Sequence, residues 1–408
     1  MKTKMTAQKG PLHGIRVLEL AHIMAGPVCG LMLADLGADV IKVEKMPGGD
    51  DSRRMVPPRV GDESAAFMMM NRNKRGVAIN LKDEGGRDVL RRLVEEADVL
   101  IENYRHDTME KLGLGYNDLK KINPGLVYCE ISGFGRSGPY REQGGFDLIA
   151  QGMSGLMSIT GEDEGRPPVK VGAPLTDITA GILGALGTLA ALMQRRNSGK
   201  GQRVDTSLFE AGIVHTYWQS AICLATGVSP GPMGSAHPLN APYQALQTED
   251  GWINVGAANE RNWERMVEAV GVPEMARDPR FRDNHGRMAH LKELEEELNR
   301  VFRQRTTAEW LECLEEVGVP AGPVLNIAEM HRHEQTLARE MVTRVEHPRE
   351  GKIETIGLPI KLSETPGGVN RPSPLFGEHT RKVLQENGYE DSSIQDLHDQ
   401  GSIYCHSE

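Results

Sequence analysis

The sequence predicts an α/β protein that has a large domain built on a parallel sheet and a second, smaller α/β domain. Short apolar runs alternate with helix-like stretches through the first 135 residues. A chain of 408 residues is longer than one hydrophobic core usually serves, so about two domains are expected. A stretch rich in Gly, Pro and Ser at 226–242 indicates a loop between the two regions.

The first region alternates predicted strands and helices. The strands are expected at 15–20, 39–44, 76–81, 98–104 and 125–133. The helices between them are expected at 25–38, 82–97, 108–112 and 119–124. This alternation predicts a parallel sheet with helices on both faces, and ligands on such sheets bind beyond the carboxyl ends of the strands.

The second region contains one predicted strand at 250–257, followed by helices at 259–271, 287–305 and 306–318. Thr306 and Glu309 fit a capping box at the start of the last of these helices. A strand-like run and a further helix near 376–389 complete the pattern. We therefore predict three divisions of the chain. They are the N-terminal part of the large domain at 1–225, a small domain with a lid loop at 226–330, and a return segment at 331–408 that completes the large domain.

Composition excludes several classes of function. The net charge of −10 and the pI near 5.8 argue against nucleic acid as a general partner. The N-terminal residues are basic but lack the apolar core of a signal peptide, and no run of about 18 purely apolar residues indicates a membrane span. The five cysteines are far apart, so we expect no metal site, no disulfide framework and a cytoplasmic location.

Asp177 is the only charged residue between 171 and 192, and small, apolar or hydroxylated residues follow it. Residues 178–193 are predicted to form a buried helix, because apolar residues lie nearly all round it. Thr176 or Asp177 is then expected to be its N-cap. From this stretch alone, a structural cap is the favoured interpretation of the carboxylate.

Basic residues cluster near the ends of the predicted strands. Lys42 and Lys45 belong to the end of the second strand, Lys74, Arg75 and Lys82 flank the third, and Arg105 follows the fourth. Because loops at one edge of a parallel sheet converge, this spacing predicts a site for an anionic small ligand, and solvated surface charge is the alternative. Tyr104 offers a ring on which an adenine could stack. We expect His22, His237 and the Met-rich stretch at 67–74 to be structural.

No nucleotide-binding fingerprint explains such a ligand. The first turn reads AHIMAGPVCG, so the G-x-G-x-x-G pattern of dinucleotide-binding proteins is missing there. Neither a P-loop nor an H-E-x-x-H motif occurs in the sequence. The missing fingerprint disfavours a dehydrogenase.

Several motifs, in order along the chain, resemble those of the family III CoA-transferases. They include LHGIRVLELAHIMAGPVCGLMLADLGADVIKVE, NRNKRGVAINLK, ENYRHDTMEKLGLGY, VYCEISGFGRSGPY, GAPLTDITAGILGALGTLAALMQRRNSGKGQRVD and LFGEHTRKVL. The resemblance spans nearly the whole chain. It implies a Rossmann-like large domain that binds CoA, a small domain, and a homodimer whose two chains interlock.

The resemblance also implies the residues of the site. The nucleophilic aspartate of the family lies in a D-x-x-x-G stretch that matches DITAG here, which gives Asp177 the catalytic role. The residues that would bind CoA are Ala25, Lys45, Asn80, Lys82, Asn103, Tyr104, Arg105, Lys111, Ser132, Gly133, Phe134 and Gly135. The implied substrates are acyl-CoA thioesters and carboxylic acids, with no permanently bound cofactor.

The chemistry explains an acid beside an apolar helix. A carboxylate can attack a thioester to give a mixed anhydride and CoA thiolate, and an aspartyl-CoA thioester then passes CoA to the acceptor acid. Apolar surroundings keep water away and leave the carboxylate poorly solvated. Succinyl-CoA or a similar ester is the expected donor, because NRNKRGVAINLK and RFRDNHGRMAHLKEL resemble members that use dicarboxylates.

Two alternatives stay open. A racemase or epimerase of the same fold would use a His in a G-H-D motif, where this chain has Phe146, and Phe cannot move a proton. A non-catalytic CoA-binding subunit is the second alternative, and the intact Asp177 speaks against it. Met24 stands where the formyl-CoA and oxalate branch has Gln, so that specificity is not expected.

Overall fold

A computed structural model describes residues 10–406 and shows two compact units. The larger unit combines the described parts of 1–155, 171–215 and 334–408. The smaller unit consists of 156–170 and 216–333. This division differs from the predicted boundaries, because the smaller unit takes in 156–170 and starts ten residues before 226.

The order of elements alternates strands and helices, as the following bounds show. The strands are β1 (Arg16–Glu19), β2 (Asp39–Lys45), β3 (Arg59–Val60), β4 (Glu63–Ser64), β5 (Lys74–Ile79), β6 (Val99–Glu102), β7 (Val127–Ser132), β8 (Arg203–Ser207), β9 (Tyr243–Gln247), β10 (Trp252–Gly256), β11 (Ala321–Pro323), β12 (Val342–His347), β13 (Gly351–Ile356) and β14 (Ile403–Tyr404). The α-helices are α1 (Ala25–Asp35), α2 (Ala65–Asn71), α3 (Glu84–Glu95), α4 (Thr108–Lys111), α5 (Tyr116–Ile122), α6 (Asp147–Met153), α7 (Leu156–Ile159), α8 (Leu175–Ser198), α9 (Leu208–Val214), α10 (Tyr217–Thr226), α11 (Glu260–Ala269), α12 (Asn284–Ala289), α13 (Leu291–Phe302), α14 (Thr307–Glu316), α15 (Ile327–Arg332), α16 (Glu334–Ala338), α17 (Thr380–Glu386) and α18 (Asp391–Asp399). Short 3-10 helices lie at Asp51–Arg54 and Pro273–Arg277.

The larger unit is built on a seven-stranded sheet in the order β14-β5-β2-β1-β6-β7-β8. Neighbouring strands are parallel except for β14, which pairs antiparallel with β5 at one edge. Val17 of β1 pairs with Val40 of β2 on one side and with Val99 of β6 on the other. The α/β class and the parallel sheet predicted from the sequence are confirmed.

The two edge strands have no clear signal in the sequence. β8 reads RVDTS, with mostly polar residues that alternate between exposed and at least partly buried, so it lacks the apolar run of a buried strand. β14 is only two residues long. The strand predicted at 76–81 begins two residues earlier, because Lys74 and Arg75 are buried and pair with β2.

Hydrophobic side chains cover both faces of this sheet. Leu18, Ile41 and Leu100 belong to one core, to which α3 and α5 contribute buried residues. Val17 and Val40 belong to the core on the other face, to which α1 and α8 contribute. Successive residues of a strand point to opposite faces, so strands buried on both faces read as continuous apolar runs.

Helix α8 carries Asp177 in its first turn and has 24 residues, more than the predicted 178–193. By length and composition it is apolar enough to cross a membrane, but its buried face of mostly small residues packs against α1 and β7. A Cβ atom on Gly181 would lie 2.6 Å from the Ala25 carbonyl oxygen, and one on Gly184 would lie 2.8 Å from Ile131 Cδ1. The glycines therefore allow α8 to approach α1 and the sheet closely.

The smaller unit contains a three-stranded antiparallel sheet in the order β11-β10-β9. Its core buries large aromatic side chains, among them Trp263 of α11, Phe302 of α13 and Trp310 of α14. The rings of Phe302 and Trp310 lie 4.9 Å apart. Aromatic pairs of this kind bury much apolar area in a small unit.

Two predictions for the smaller unit have different outcomes. The capping box of Thr306 and Glu309 is confirmed, with both reciprocal hydrogen bonds present. The single helix predicted at 287–305 is wrong. His290 has non-helical backbone angles and separates α12 from α13, although both helices bury residues on the same core.

Replacing Gly181 by Ala is expected to destabilise the protein by about 1 to 3 kcal/mol, because the added Cβ would press on the backbone of α1. Gly322→Ala is the matched control, since a Cβ there would meet nothing within 4 Å. Urea unfolding of both variants measures the difference. Equal stability of the two variants would contradict the close contact between α8 and α1.

Candidate active site

A cavity of about 320 Å³ opens in the larger unit beyond the carboxyl ends of β1, β6 and β7. Strand β2 lies on one side of β1 and β6 on the other, so the cavity lies where the strand order reverses. It brings together seven of the residues predicted from the sequence. They are Ala25, Asn103, Tyr104, Arg105, Ser132, Gly133 and Asp177.

The other predicted CoA-binding residues do not line this cavity. They are Lys45, Asn80, Lys82, Lys111, Phe134 and Gly135. Lys45 lies next to the cavity, because its Nζ is 2.8 Å from Asp51, which lines it. Lys82 and Lys111 are exposed.

Asn80, Phe134 and Gly135 make contacts within the fold. The Asn80 side-chain amide donates to the Gly401 carbonyl at 3.4 Å and so ties the end of β5 to the turn before β14. The ring of Phe134 lies 6.1 Å from that of Phe209. Gly135 has φ of 85°, a conformation that suits glycine and turns the chain sharply after β7.

Asn103 joins the two strand ends at the switch point. Its Oδ1 accepts a hydrogen bond from the His22 N–H at 2.8 Å, and its Nδ2 donates to the His22 carbonyl at 2.9 Å. The edge of the His22 ring packs against Tyr104, with ring centroids 4.9 Å apart. Burial lowers the pKa of His22 to about 4, so its ring is neutral at pH 7.

The expectation that Thr176 or Asp177 caps α8 is wrong. The helix begins at Leu175 with Pro174 as the N-cap residue, so both side chains belong to the first turn. The acceptor comes from α6 instead, because Asp147 Oδ1 accepts from the Thr176 N–H at 3.0 Å and from its hydroxyl at 2.8 Å. The role of cap therefore falls to Asp147.

Asp177 is a poorly solvated acid. Burial, and in the same direction the charge of Asp147, raise its pKa to about 7. A carboxyl group with such a pKa is close to half ionised at neutral pH, and its carboxylate is more basic than that of an exposed aspartate. This arrangement suits a nucleophile that must attack an acyl carbon.

The basic residues near the strand ends do not all line the cavity. Lys42 and Lys74 are fully buried and Arg75 is nearly so, and each of them pairs with a carboxylate. The prediction that these three bind an anion is wrong, because a charged side chain in the interior needs a partner there. Arg105 is different, since it lines the cavity and is exposed.

Sequence reasoning predicted the start of the loop between β7 and α6 but missed Arg141 and Gln143 in it. These two residues line the cavity, as do Phe146 from the same loop and His106 from the loop after β6. Phe146 is 68% exposed. The signal that points to these residues is their position beyond the carboxyl ends of parallel strands, where loops carry function.

Comparison with known proteins defines the class as CoA-transferase. The model of CoA-transferase family III matches residues 12–380. The chain is 40% identical over 390 residues to the succinate–glutarate CoA-transferase of Agrobacterium fabrum, which covers 94% of this chain and 97% of that protein. It is 37% identical over 397 residues to the succinyl-CoA:glutarate CoA-transferase of Mus musculus, which covers 97% and 91%.

A solved structure agrees with these matches. The crystal structure of a CAIB/BAIF family protein from Brucella suis superposes with a TM-score of 0.84 at 40% identity, over 93% of this chain and 100% of that chain. The chain therefore belongs to CoA-transferase family III. The predicted family, enzyme class and Rossmann-like sheet are confirmed.

The activity of the protein is expected to rise with pH through about 7, because the predicted nucleophile Asp177 attacks only when it is ionised and burial raises its pKa to that value. In Asp147→Asn the midpoint of kcat/KM against pH should fall, since a like charge is removed while an oxygen remains for Thr176. Steady-state rates from pH 5 to pH 9 measure both midpoints.

Asp88→Asn serves as the control for this shift. Asp88 is a 64% exposed acid on α3 of the larger unit and does not line the cavity, so its loss should leave the midpoint where it is in the unaltered protein. A midpoint that is the same in Asp147→Asn and Asp88→Asn would show that Asp147 does not act on Asp177.

Proposed function

We propose that this enzyme moves CoA from a short acyl-CoA, with succinyl-CoA as the leading donor, to a carboxylic acid through covalent chemistry at Asp177. The observation that carries the proposal is a poorly solvated carboxyl of pKa about 7 in a cavity at the carboxyl ends of β1, β6 and β7. The relatives named as succinyl-CoA:glutarate and succinate–glutarate CoA-transferases support the choice of donor.

The reaction takes place in two balanced halves. The Asp177 carboxylate attacks the thioester carbon and the carbon–sulfur bond breaks. CoA leaves as a thiolate, and the acyl group remains on Asp177 as a mixed anhydride. The thiolate then attacks the aspartyl carbon, which releases the donor acid and leaves an aspartyl-CoA thioester. The acceptor carboxylate reverses these steps, so CoA ends on the acceptor and Asp177 is regenerated without oxidation or consumption of water.

The residues around Asp177 are assigned to the CoA ester. Arg105 and Tyr104 would take the nucleotide end, and Ala25, with the turn from Ser132 to Gly135, would face the acyl end. Four further predicted residues lie outside the cavity, at the end of β2 or on the segments that follow β5 and β6: Lys45, Asn80, Lys82 and Lys111. We propose that they bind the part of CoA that extends beyond the cavity. An exposed guanidinium such as that of Arg105 suits a phosphate.

The acceptor is proposed to be a dicarboxylic acid of about four to six carbons. The cavity of about 320 Å³ is large for formate and is lined by apolar side chains such as Met24, Ile131 and Phe146. Arg141 at the same cavity supplies a cation for a second carboxylate. These features favour a substituted acid or a dicarboxylic acid of about four to six carbons over the smaller formate or oxalate.

The loop at 226–238 is proposed to act as a lid. In the smaller unit, its residues 229–234 line a cavity of about 920 Å³ together with residues of 157–169. The Gly234 N–H donates to the Gly161 carbonyl at 2.8 Å, which holds the loop to that segment. Release of such a contact would let a segment of small side chains close over the aspartyl intermediate and keep water out.

A homodimer with interlocked chains and a cytoplasmic location are also proposed. Helix α8 exposes a row of apolar side chains opposite its small-residue face, with Ile182 47%, Leu186 62% and Met193 60% exposed. Exposed apolar rows of this size are typical of protein interfaces. A second copy of the chain is the partner that the family resemblance implies.

A racemase of the same fold is the second candidate function, and the site favours it less. Phe146 lines the cavity where that chemistry places a proton-carrying His. Incubation of a 2-methylacyl-CoA in heavy water tests it, because a racemase would exchange the proton at the α-carbon for deuterium. A non-catalytic CoA-binding subunit would instead be inactive alone and active with a partner chain.

Replacing Asp177 by Ala is expected to lower CoA transfer by at least about 10³-fold, because the covalent nucleophile is lost. Succinyl-CoA with a panel of carboxylic acids, read by mass spectrometry, measures the transfer and identifies the acceptor. Hydroxylamine added during turnover should mark Asp177 in the unaltered protein. Asp88→Asn should leave both results unchanged, because Asp88 is 64% exposed and does not line the cavity. Full activity in Asp177→Ala would refute the assignment.

Replacing Arg105 by Ala is expected to raise the KM for CoA esters about five- to tenfold at low salt, with a smaller effect at high salt, because ions screen the attraction to phosphate. Lys121→Ala is the matched control, since Lys121 is 76% exposed and does not line the cavity. Equal KM values in the two variants would mean that Arg105 is ordinary surface charge.

A further inference from the structure

Side chains from three different elements hold the turn that follows β1. Lys42 Nζ donates to the Ala21 carbonyl at 3.0 Å. The N–H of Ile23 donates to Asp50 Oδ1 at 3.1 Å, and Asn103 holds the residue between them. The backbone of this turn is thus fixed at three successive positions by polar side chains, of which Lys42 and Asp50 are fully buried and Asn103 is partly buried.

Ile23 needs such support. Its φ of 64° lies in the left-handed region, which a β-branched residue rarely occupies. A conformation of this kind persists only where the surrounding structure imposes it. Ile23, Met24 and Ala25 line the cavity of Asp177, so the strained residue begins one wall of the site.

Asp50 belongs to a set of four charged side chains that are all fully buried. Lys42 Nζ lies 3.0 Å from Glu19 and 2.8 Å from Asp50, and Lys74 Nζ lies 2.7 Å from Glu19. Ser52 donates to Asp50 from its N–H and its hydroxyl, each at 2.8 Å. A protein in which apolar side chains of similar volume replace buried ions is often equally stable, so stability alone does not explain this charged set.

We propose that Asp50 is a positioning residue for the reaction at Asp177. Held by Lys42, the Asp50 carboxylate fixes the Ile23 amide and thereby keeps the wall from Ile23 to Ala25 facing the acyl group. The inference rests on the proposed function, because that function assigns the cavity to the acyl-CoA. It predicts that loss of the Asp50 carboxylate affects turnover beyond any loss of stability.

The test compares two acids that are equally buried. Asp50→Asn keeps the size of the side chain but removes the negative charge of the carboxylate that both Lys42 and the Ile23 N–H contact. Asp35→Asn is the matched control, because Asp35 is also fully buried, lies 2.6 Å from Arg72 Nη2, and does not line the cavity.

A double variant separates stability from position. Asp50→Asn combined with Lys42→Met makes the buried set neutral again, while Glu19 keeps Lys74 at 2.7 Å. We expect Asp50→Asn and Asp35→Asn to melt at a lower temperature than the unaltered protein. The double variant should recover part of the melting temperature that Asp50→Asn loses. The double variant still lacks the carboxylate that holds Ile23.

Steady-state transfer from succinyl-CoA provides the decisive readout. Both variants at Asp50 should lose about tenfold or more in kcat/KM, mainly in kcat, because a displaced wall misplaces the acyl group. Asp35→Asn should stay within about twofold of the unaltered protein. Equal kcat/KM in the Asp50 and Asp35 variants, or activity that returns with stability in the double variant, would overturn the inference. An unaltered protein that transfers no CoA would instead overturn the proposed function, and the positioning role with it.

Discussion

The close packing of α8 against α1 and the sheet is the constraint on which the site depends. At Gly181 and Gly184 the helix comes so near the Ala25 carbonyl and Ile131 that not even a methyl group fits without displacement. Because Asp177 lies one turn before Gly181, any outward movement of the helix would also move the carboxyl group. The run of small residues is therefore a packing requirement, and the poor solvation of Asp177 follows from it.

The larger unit buries charge in two contrasting ways. Under the turn after β1, Glu19 and Asp50 are compensated by two lysines at hydrogen-bonding distance, which makes that part of the cavity wall rigid. At the start of α8, Asp177 faces the like charge of Asp147, and burial adds to the cost of ionising it. In the proposed mechanism, acylation of Asp177 removes this charge, so covalent bond formation relieves the same cost that raises its pKa.

Much of this fold was predictable because strands buried on both faces read as apolar runs, whereas β8 is mostly polar with alternating exposed residues and gave no such signal. The site was predictable only in part. A pattern of Lys after strands cannot show that Lys42 and Lys74 turn inward to Glu19. Nor can it show that the cap of α8 comes from Asp147, 29 residues before Thr176, because such pairings arise only when distant segments pack.

Two residues that are adjacent in sequence, Phe146 and Asp147, distinguish acyl transfer from epimerisation at this site. Phe146 contributes an apolar, exposed ring to the cavity and cannot carry a proton. Asp147 accepts hydrogen bonds from Thr176, and its charge raises the pKa of Asp177. Asp147 itself does not line the cavity. In each proposed step an acyl carbon changes its bond between oxygen and sulfur, and no carbon-bound proton moves. A basic carboxylate in a cavity that is also lined by an aromatic ring therefore suits acyl transfer better than epimerisation at an α-carbon.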